Sequence, residues 1–509
     1  MTSTIHLTGD TLTLEDVRSV ADAYVPVALS EEAASRVDAA RRLVDEQAAG
    51  DVPVYGINTG FGALAETTIP RDALATLQLN LLRSHAAGVG EPLSVRAVRA
   101  SMLLRANVLA KGFSGIRRST LEQLIALLNA RVHPVVPSRG SVGASGDLAP
   151  LAHLALVLVG EGEAVVGDDP APRAGADALA AAGLGPVDLA PKEGLALING
   201  TQPSAAVAAL AALGAERLAR AADIAVSLSI DGLRGSVRPF DPRIHQARPH
   251  AGQLASAANI LRLLEGSAIN KSHEHCGRVQ DAYSLRCAAQ VHGAARDALR
   301  HVRETLAIEV NAATDNPMVF AEHGDIVSGG NFHGAPVAVA ADLLTLALAQ
   351  LATISERRSD RLVNPVLSDL PAFLTPQSGL QSGYMMAQVT AAALTSELKT
   401  LAHPASVDTI PTSANREDHV SMSMSAALKA AGALEFARRV VAIEVLFACQ
   451  AIDLLAPLRT SPVLQRVHAR VRQDVAALTS DRPPSPDIEK ISALIEEGAL
   501  ESSTGADVK

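Results

Sequence analysis

The stretch from Val337 to Ile354, VAVAADLLTLALAQLATI, decides what kind of fold this chain can adopt. It is long enough and apolar enough to raise the question of a membrane span. Asp342, Thr345 and Gln350 interrupt it, however, and Ala is its commonest residue. Ala favours helix most strongly and adds little bulk, so the stretch reads as a helix buried among other helices rather than in lipid. Working outward, the same Ala/Leu-rich helical spacing recurs at 203–235, 251–265, 283–310, 336–362, 380–401 and 422–455. Helices that long and that apolar must cover one another. The expectation is an all-α fold, with a long central helical bundle and a mixed N-terminal region that carries the site.

Composition agrees. Of 509 residues, 48% are apolar and 19% charged, which supplies ample surface to offset the entropy of ordering and excludes a disordered chain. Aromatics make up 2% and Trp is absent, so the core is Ala, Leu and Val, which argues against an all-β sandwich. Lys and Arg total 44 against 54 acids, a formal charge of -10, and no basic run could neutralise a row of phosphates, so nucleic acid is not expected as a partner. The first residues, MTSTIHLTGDTLTLEDV, place acids where a secretion signal needs basic and then apolar residues. Three cysteines, Cys276, Cys287 and Cys449, cannot all pair, which fits a reducing compartment; a cytoplasmic protein without a membrane span is expected.

The chain reads as three regions: 1–200, with several Gly-rich loops; 201–480, the bundle; and 481–509, a Pro-rich hinge, DRPPSPD, before a short amphipathic helix and a polar tail. In the first region the loop PVYGINTGFGAL, beginning at Pro53, contains a G-x-G-x-x-A run but has no strand before it and no acid about 20 residues on, so it is not a dinucleotide fingerprint. A second loop, PVVPSRGSVGASG at 134–146, holds Gly143-Ala144-Ser145-Gly146-Asp147. Asp147 occupies the place where a nucleophile elbow requires Gly, so a hydrolase Ser is excluded. Ala-Ser-Gly suits a different reaction. The amide nitrogen of Gly146, unhindered by a Cβ, can attack the carbonyl of Ala144 while Ser145 loses its hydroxyl as water, leaving a five-membered ring with an exposed electrophilic alkene.

GASGDLAPLAHLAL (143–156), VYGINTGFG (54–62), KEGLALINGTQ (192–202), RVQDAYSLRC (278–287), TDNPMVF (314–320), GGNFHGAP (329–336), SERR (355–358) and SVDTIPTSANREDHVSM (406–422) follow one another in the chain. Together they resemble the aromatic amino acid ammonia-lyase and aminomutase family over roughly residues 50–460. The resemblance implies an autocatalytically formed methylidene-imidazolone group (MIO) made from Ala144, Ser145 and Gly146. It further implies Tyr55 as the base at the substrate's β-carbon, Arg286 as the clamp for its carboxylate, and Asn199 and Gln280 as hydrogen-bonding partners of the prosthetic group or substrate. Tyr283 and Phe332 would line the pocket. Within the family, Ser84-His85 and Glu417-Asp418-His419 resemble the members that act on histidine. A carboxylate or a His suits an imidazole ring, where a phenyl ring would want an apolar wall. His85 and Glu417 are therefore assigned to the substrate ring, Glu417 also to proton transfer. The implied reaction is non-oxidative loss of ammonia from L-histidine to give trans-urocanate, with a 2,3-aminomutase making a β-amino acid, or a catalytically impaired homologue, as alternatives. A homotetramer follows from the same resemblance.

Three positions depart from the family pattern: Arg416 replaces the usual Gln, Ser423 the usual Gly, and Ala282 the usual Pro. Arg416 puts a cation beside the site, where it can bear on substrate binding or on a neighbouring phenol. Ser-His-Glu-His-Cys at 272–276 offers imidazoles and a thiol to a metal, but no second cluster completes a set of ligands, so no metal is expected and the segment reads as a solvent-facing loop.

Overall fold

The structure, a computed structural model, describes residues 4–508 apart from 51, 61, 275 and 278. Among the described residues there are 21 α-helices, and the strands form only ladders of two or three. The fold is all-α. The chain divides into two compact units, Met1–Leu210 with Arg303–Asp342 and Pro404–Leu428, and Ala211–Val302 with Leu343–His403 and Lys429–Lys509.

In the first unit the short helices start where side chains satisfy their free N–H groups. Thr13 and Asp16 form a capping box before Leu14–Ala23, and Ser30 and Ser94 cap Glu31–Ala48 and Val95–Ala110. Val95–Ala110 is buried at every position from Ala97 to its end, including Arg99, Arg105 and Asn107. Such groups survive burial only when they are hydrogen-bonded. Arg99 donates to the carbonyls of Val20 and Leu128 at 2.8 and 3.0 Å. A hairpin, Met318–Phe320 with Asp325–Val327, contributes Val319 to an apolar cluster with Ala40, Leu43, Val44 and Ile57. Because Ile57 lies two residues after Tyr55 and is fully buried, the loop carrying that tyrosine rests on a packed floor.

The second unit sets charges inside its helices. Arg358 and Glu444 are both fully buried and meet side by side, Nη2 to Oε2 at 2.7 Å, and Ser229 Oγ donates to the same carboxylate at 2.7 Å. Asp223 accepts from His292, Arg296, Ser256 and Asn259. Burial alone would raise the Asp223 carboxyl, but the Arg296 charge and the His292 hydrogen bond outweigh it and bring it down to about 2. Removing one partner of such a group leaves a buried charge uncompensated.

Several helical readings hold with changed ends. The apolar run LAPLAHLALVLVGEGE at 148–163, which by its pattern is either a helix or a buried strand, forms the helix Leu148–Leu158. The pattern at 283–310 is not one helix: a single turn, Tyr283–Arg286, stops at Cys287 and Ala288–Glu309 follows. The pattern at 380–401 begins only at Met385, because Gly383 takes φ +55° and breaks the approach. Ala335–Val363 is long and apolar enough to cross a membrane, and 67% of its most apolar window is buried inside the protein, so it is a core helix.

Candidate active site

The loop ahead of Leu148–Leu158 is pinned by backbone contacts. Gly146 takes φ +70°, and a Cβ placed on it would lie 2.2 Å from the Gly200 carbonyl oxygen, so no other residue fits. The Asp147 N–H donates to that same carbonyl at 2.7 Å. Asp147 is fully buried; Ser141 Oγ donates to its Oδ1 at 2.7 Å and the Ser204 N–H to its Oδ2 at 2.8 Å. Burial pushes the Asp147 carboxyl up, and the Ser204 and Ser141 hydrogen bonds hold it back. The excursion between these anchors presents Ser145. Its Oγ donates to Glu417 Oε1 at 3.0 Å, while Thr412 Oγ1 donates to Glu417 Oε2 at 2.6 Å. Asn199 Nδ2 donates to the Ser145 carbonyl at 3.4 Å, and its buried Oδ1 has no partner among the described residues.

Asn199 is held in turn by Arg105. The guanidinium donates to the Asn199 carbonyl and to Gln202 Oε1 at 2.7 Å each, and to the Ala196 carbonyl at 2.6 Å. Ala196 and Asn199 lie at the end of the helix Glu193–Ile198, where free carbonyls collect and a cation is favoured. Burial lowers Arg105 to about 10, opposed by the charge of Asp315, and at neutral pH it stays charged.

Tyr55 and His85 complete this side. The Gly62 N–H points at the Tyr55 hydroxyl at 3.4 Å. Burial raises the Tyr55 phenol above its ordinary value, the Gly62 bond lowers it, and the Glu417 charge raises it further. The His85 ring Nδ1 sits 2.9 Å from the Leu81 carbonyl and 3.0 Å from Ser84 Oγ. A carbonyl can only accept, so Nδ1 carries the proton and Nε2 keeps its lone pair. Burial lowers His85, opposed by the Leu81 carbonyl and by Glu417. Glu417 is thus near enough to bear on both residues.

The Glu417 loop is strained, with positive φ at Ser413, Ala414 and Asn415 of 51°, 55° and 65°. It is tied down by the His333 ring, whose Nε2 lies 3.2 Å from the His419 carbonyl while the two imidazoles stack with their planes 4° apart. Phe332, next to His333, is half-buried in the same unit, and Arg416 is exposed at the loop tip. Gln280, Tyr283 and Arg286 belong to the second unit. There Tyr283 is 70% exposed, Gln280 is exposed, and the Arg286 guanidinium lies 4.6 Å from the centre of the Tyr283 ring. Cys276 is exposed, and His275 of the Ser-His-Glu-His-Cys segment lies outside the described residues.

Two residues that support this cluster escape a reading of the sequence. Thr412 stands in the quoted Pro-Thr-Ser-Ala-Asn run, and its signal would have been a hydroxyl five residues before Glu417. Arg105 could have been found as a cation in the middle of an apolar helix. Arg105→Met strips three oxygens of their donor at once, and is expected to lower stability by about 3 kcal/mol in urea unfolding. A loss below about 1 kcal/mol would contradict the role of Arg105 as the anchor of Asn199.

Comparison with known proteins agrees with this geometry. The sequence profile described as aromatic amino acid lyase matches residues 12–473. A protein from Anaeromyxobacter sp. (strain K) named Histidine ammonia-lyase is 58% identical over 505 residues, covering 98% of this chain and 99% of that one. The crystal structure of histidine ammonia-lyase from Trypanosoma cruzi superposes with a TM-score of 0.92 at 44% identity, covering 99% of this chain and 95% of the other. A tyrosine aminomutase from Streptomyces globisporus superposes with a TM-score of 0.93 at 37% identity over 100% of both chains. A match along almost the whole length of the chain, in sequence and in fold, leaves one conclusion: the chain belongs to the aromatic amino acid lyase family.

Proposed function

We propose that this protein is a carbon–nitrogen lyase that eliminates ammonia from L-histidine, giving trans-urocanate. The observation that carries this reading is the contact of Ser145 with Glu417, within whose charge lie both an imidazole, His85, and a phenol, Tyr55. The names of the relatives point the same way.

The reaction is difficult because the β-hydrogen of histidine is barely acidic and ammonia leaves poorly. An MIO formed from Ala144, Ser145 and Gly146 would supply an electrophile for the amine, which improves it as a leaving group. The residues present fit that group. Gly146 is pressed against Gly200 with no room for a Cβ, and the buried Asn199 Oδ1 has no partner while its Nδ2 reaches the Ser145 carbonyl. Asn199 would hold the ring carbonyl side, with Arg105 behind it.

Tyr55 takes the proton from the β-carbon. In the chain alone burial and Glu417 hold its phenol protonated, and the positive charge of an arriving substrate ammonium lowers it towards use. His85, with its free Nε2 lone pair, accepts a hydrogen bond from the substrate ring N–H, and Glu417 pairs with the ring and moves a proton at its carboxylate oxygen. Arg286 grips the carboxylate as a fork, and Gln280, Tyr283 and Phe332 close around it. Arg416 adds a second cation at the mouth of the site. The protein is a cytoplasmic homotetramer whose sites draw on more than one subunit; the exposure of Gln280 and Tyr283 in the single chain supports this.

Incubating purified protein with L-histidine and identifying products by mass spectrometry tests the proposal. Urocanate with an equal amount of free ammonia is expected. β-Histidine as the main product would make the protein an aminomutase, and no turnover at all would contradict the lyase reading.

The lowered pKa of His85 adds a pH signature. Above its ordinary 6.5 the ring is neutral and accepts; as pH falls through its lowered value it becomes a donor and repels the protonated substrate ring. KM for L-histidine should therefore rise more steeply on the acid side in the native protein than in His85→Gln, whose amide does not titrate. Identical acid limbs would show that His85 does not meet the substrate ring.

A further inference from the structure

Three of the four carbonyls in the segment Gly143–Gly146 accept a hydrogen bond. Ser421 Oγ donates to that of Gly143 at 2.9 Å, Asn199 Nδ2 to that of Ser145 at 3.4 Å, and Ser141 Oγ to that of Gly146 at 3.5 Å. Among the described residues no donor reaches the carbonyl of Ala144. One donor in the same place has no acceptor: Ser423 is fully buried and its hydroxyl is unpaired. Its position against the loop is close. A Cβ placed on Gly143 would lie 2.5 Å from Ser423 Oγ, and the neighbouring Met422 N–H donates to the Val142 carbonyl at 2.8 Å. A buried hydroxyl without a partner costs free energy and calls for an explanation.

We propose that the Ser423 hydroxyl stabilises the Ala144 oxygen while the Ala144-Ser145-Gly146 ring closes. This rests on the reading that the tripeptide cyclises. When the Gly146 nitrogen bonds to the Ala144 carbonyl carbon, the electron pair of the C=O bond moves onto the oxygen, which takes up the amide protons of Gly146 and Ser145 and departs as one water, leaving a C=N bond to the Ser145 nitrogen. Ser145 gives up its Cα proton and its hydroxyl as a second water. Negative charge therefore develops on the one carbonyl of this segment that lacks a donor among the described residues, in a loop against which a buried, unpartnered hydroxyl is packed. A donor placed where charge appears acts on the rate and not on the fold. The hydroxyl is without a partner while the tripeptide is still open, so it is free to turn to the oxygen as charge develops there, and the finished ring keeps no oxygen from Ala144. The family usually carries Gly here, which leaves space for a water to donate in its stead.

The test follows ring closure by intact mass, reading loss of two waters in samples taken at intervals after rapid synthesis, with thermal unfolding measured in parallel. Ser423→Ala keeps the bulk, excludes water and removes the donor, and should slow the loss of water by about 10²-fold with the melting temperature little changed. Ser423→Gly, open to water, should close faster than Ser423→Ala. If Ser423→Ala does not fold, Ser423→Cys, nearly the same size and a weak donor, carries the same reading and should close several-fold more slowly than the native chain. Closure of Ser423→Ala, or of Ser423→Cys in its place, at the native rate would overturn the proposal. A native chain that keeps its full mass would overturn the cyclisation reading on which it rests.

Discussion

The hydrogen bond from the Asp147 N–H to the Gly200 carbonyl, with Gly146 pressed against the same carbonyl, is the constraint on which the site depends. It joins two loops that each precede an apolar helix, and it fixes the backbone immediately after Ser145 and after Asn199. The supporting groups all serve that junction. Buried Asp147 ties Ser141 to the start of Gln202–Gly232, and Arg105 neutralises the crowded carbonyls behind Asn199. A reactive backbone segment needs this kind of support, because a reacting atom misplaced by an ångström loses most of the benefit of being held in place.

On the proposed reading, polarity around Ser145 selects the substrate. Glu417, half-buried and gripped by Thr412, and His85, held as the Nδ1–H tautomer by Leu81, are costly groups to leave facing an apolar ring. An imidazole satisfies both, whereas a phenyl ring satisfies neither. The strain in the turn ahead of Glu417 fits a carboxylate whose direction matters more than the comfort of its backbone.

Much of this was legible in the sequence, for a physical reason. In a chain this rich in Ala and Leu, the Gly and polar residues that a site requires stand out as loops; the roles of Tyr55, Asn199 and Glu417 within them came from the family resemblance. The helical periodicity likewise exposed the all-α fold, including the buried character of Ala335–Val363. What spacing could not reveal was proximity: Ser145 and Glu417 are 272 residues apart, and both units are assembled from separated stretches. Nor could it reveal groups that act on backbone carbonyls. Arg105 sits in a helix whose pattern is satisfied without it, and Ser421, which donates to the Gly143 carbonyl, looks like an ordinary residue just ahead of Ser423–Leu454. The break at Cys287 was hidden because apolar spacing continues across it while the backbone does not.

The most direct test of the central claim, that the polar wall of His85 and Glu417 was built for an imidazole, is the ratio of kcat/KM for L-histidine to that for L-phenylalanine on the native protein. A site that leaves half-buried polar groups unpaired with the wrong ring should favour histidine by about 10⁴-fold. A ratio near one, or a preference for phenylalanine, would contradict the account.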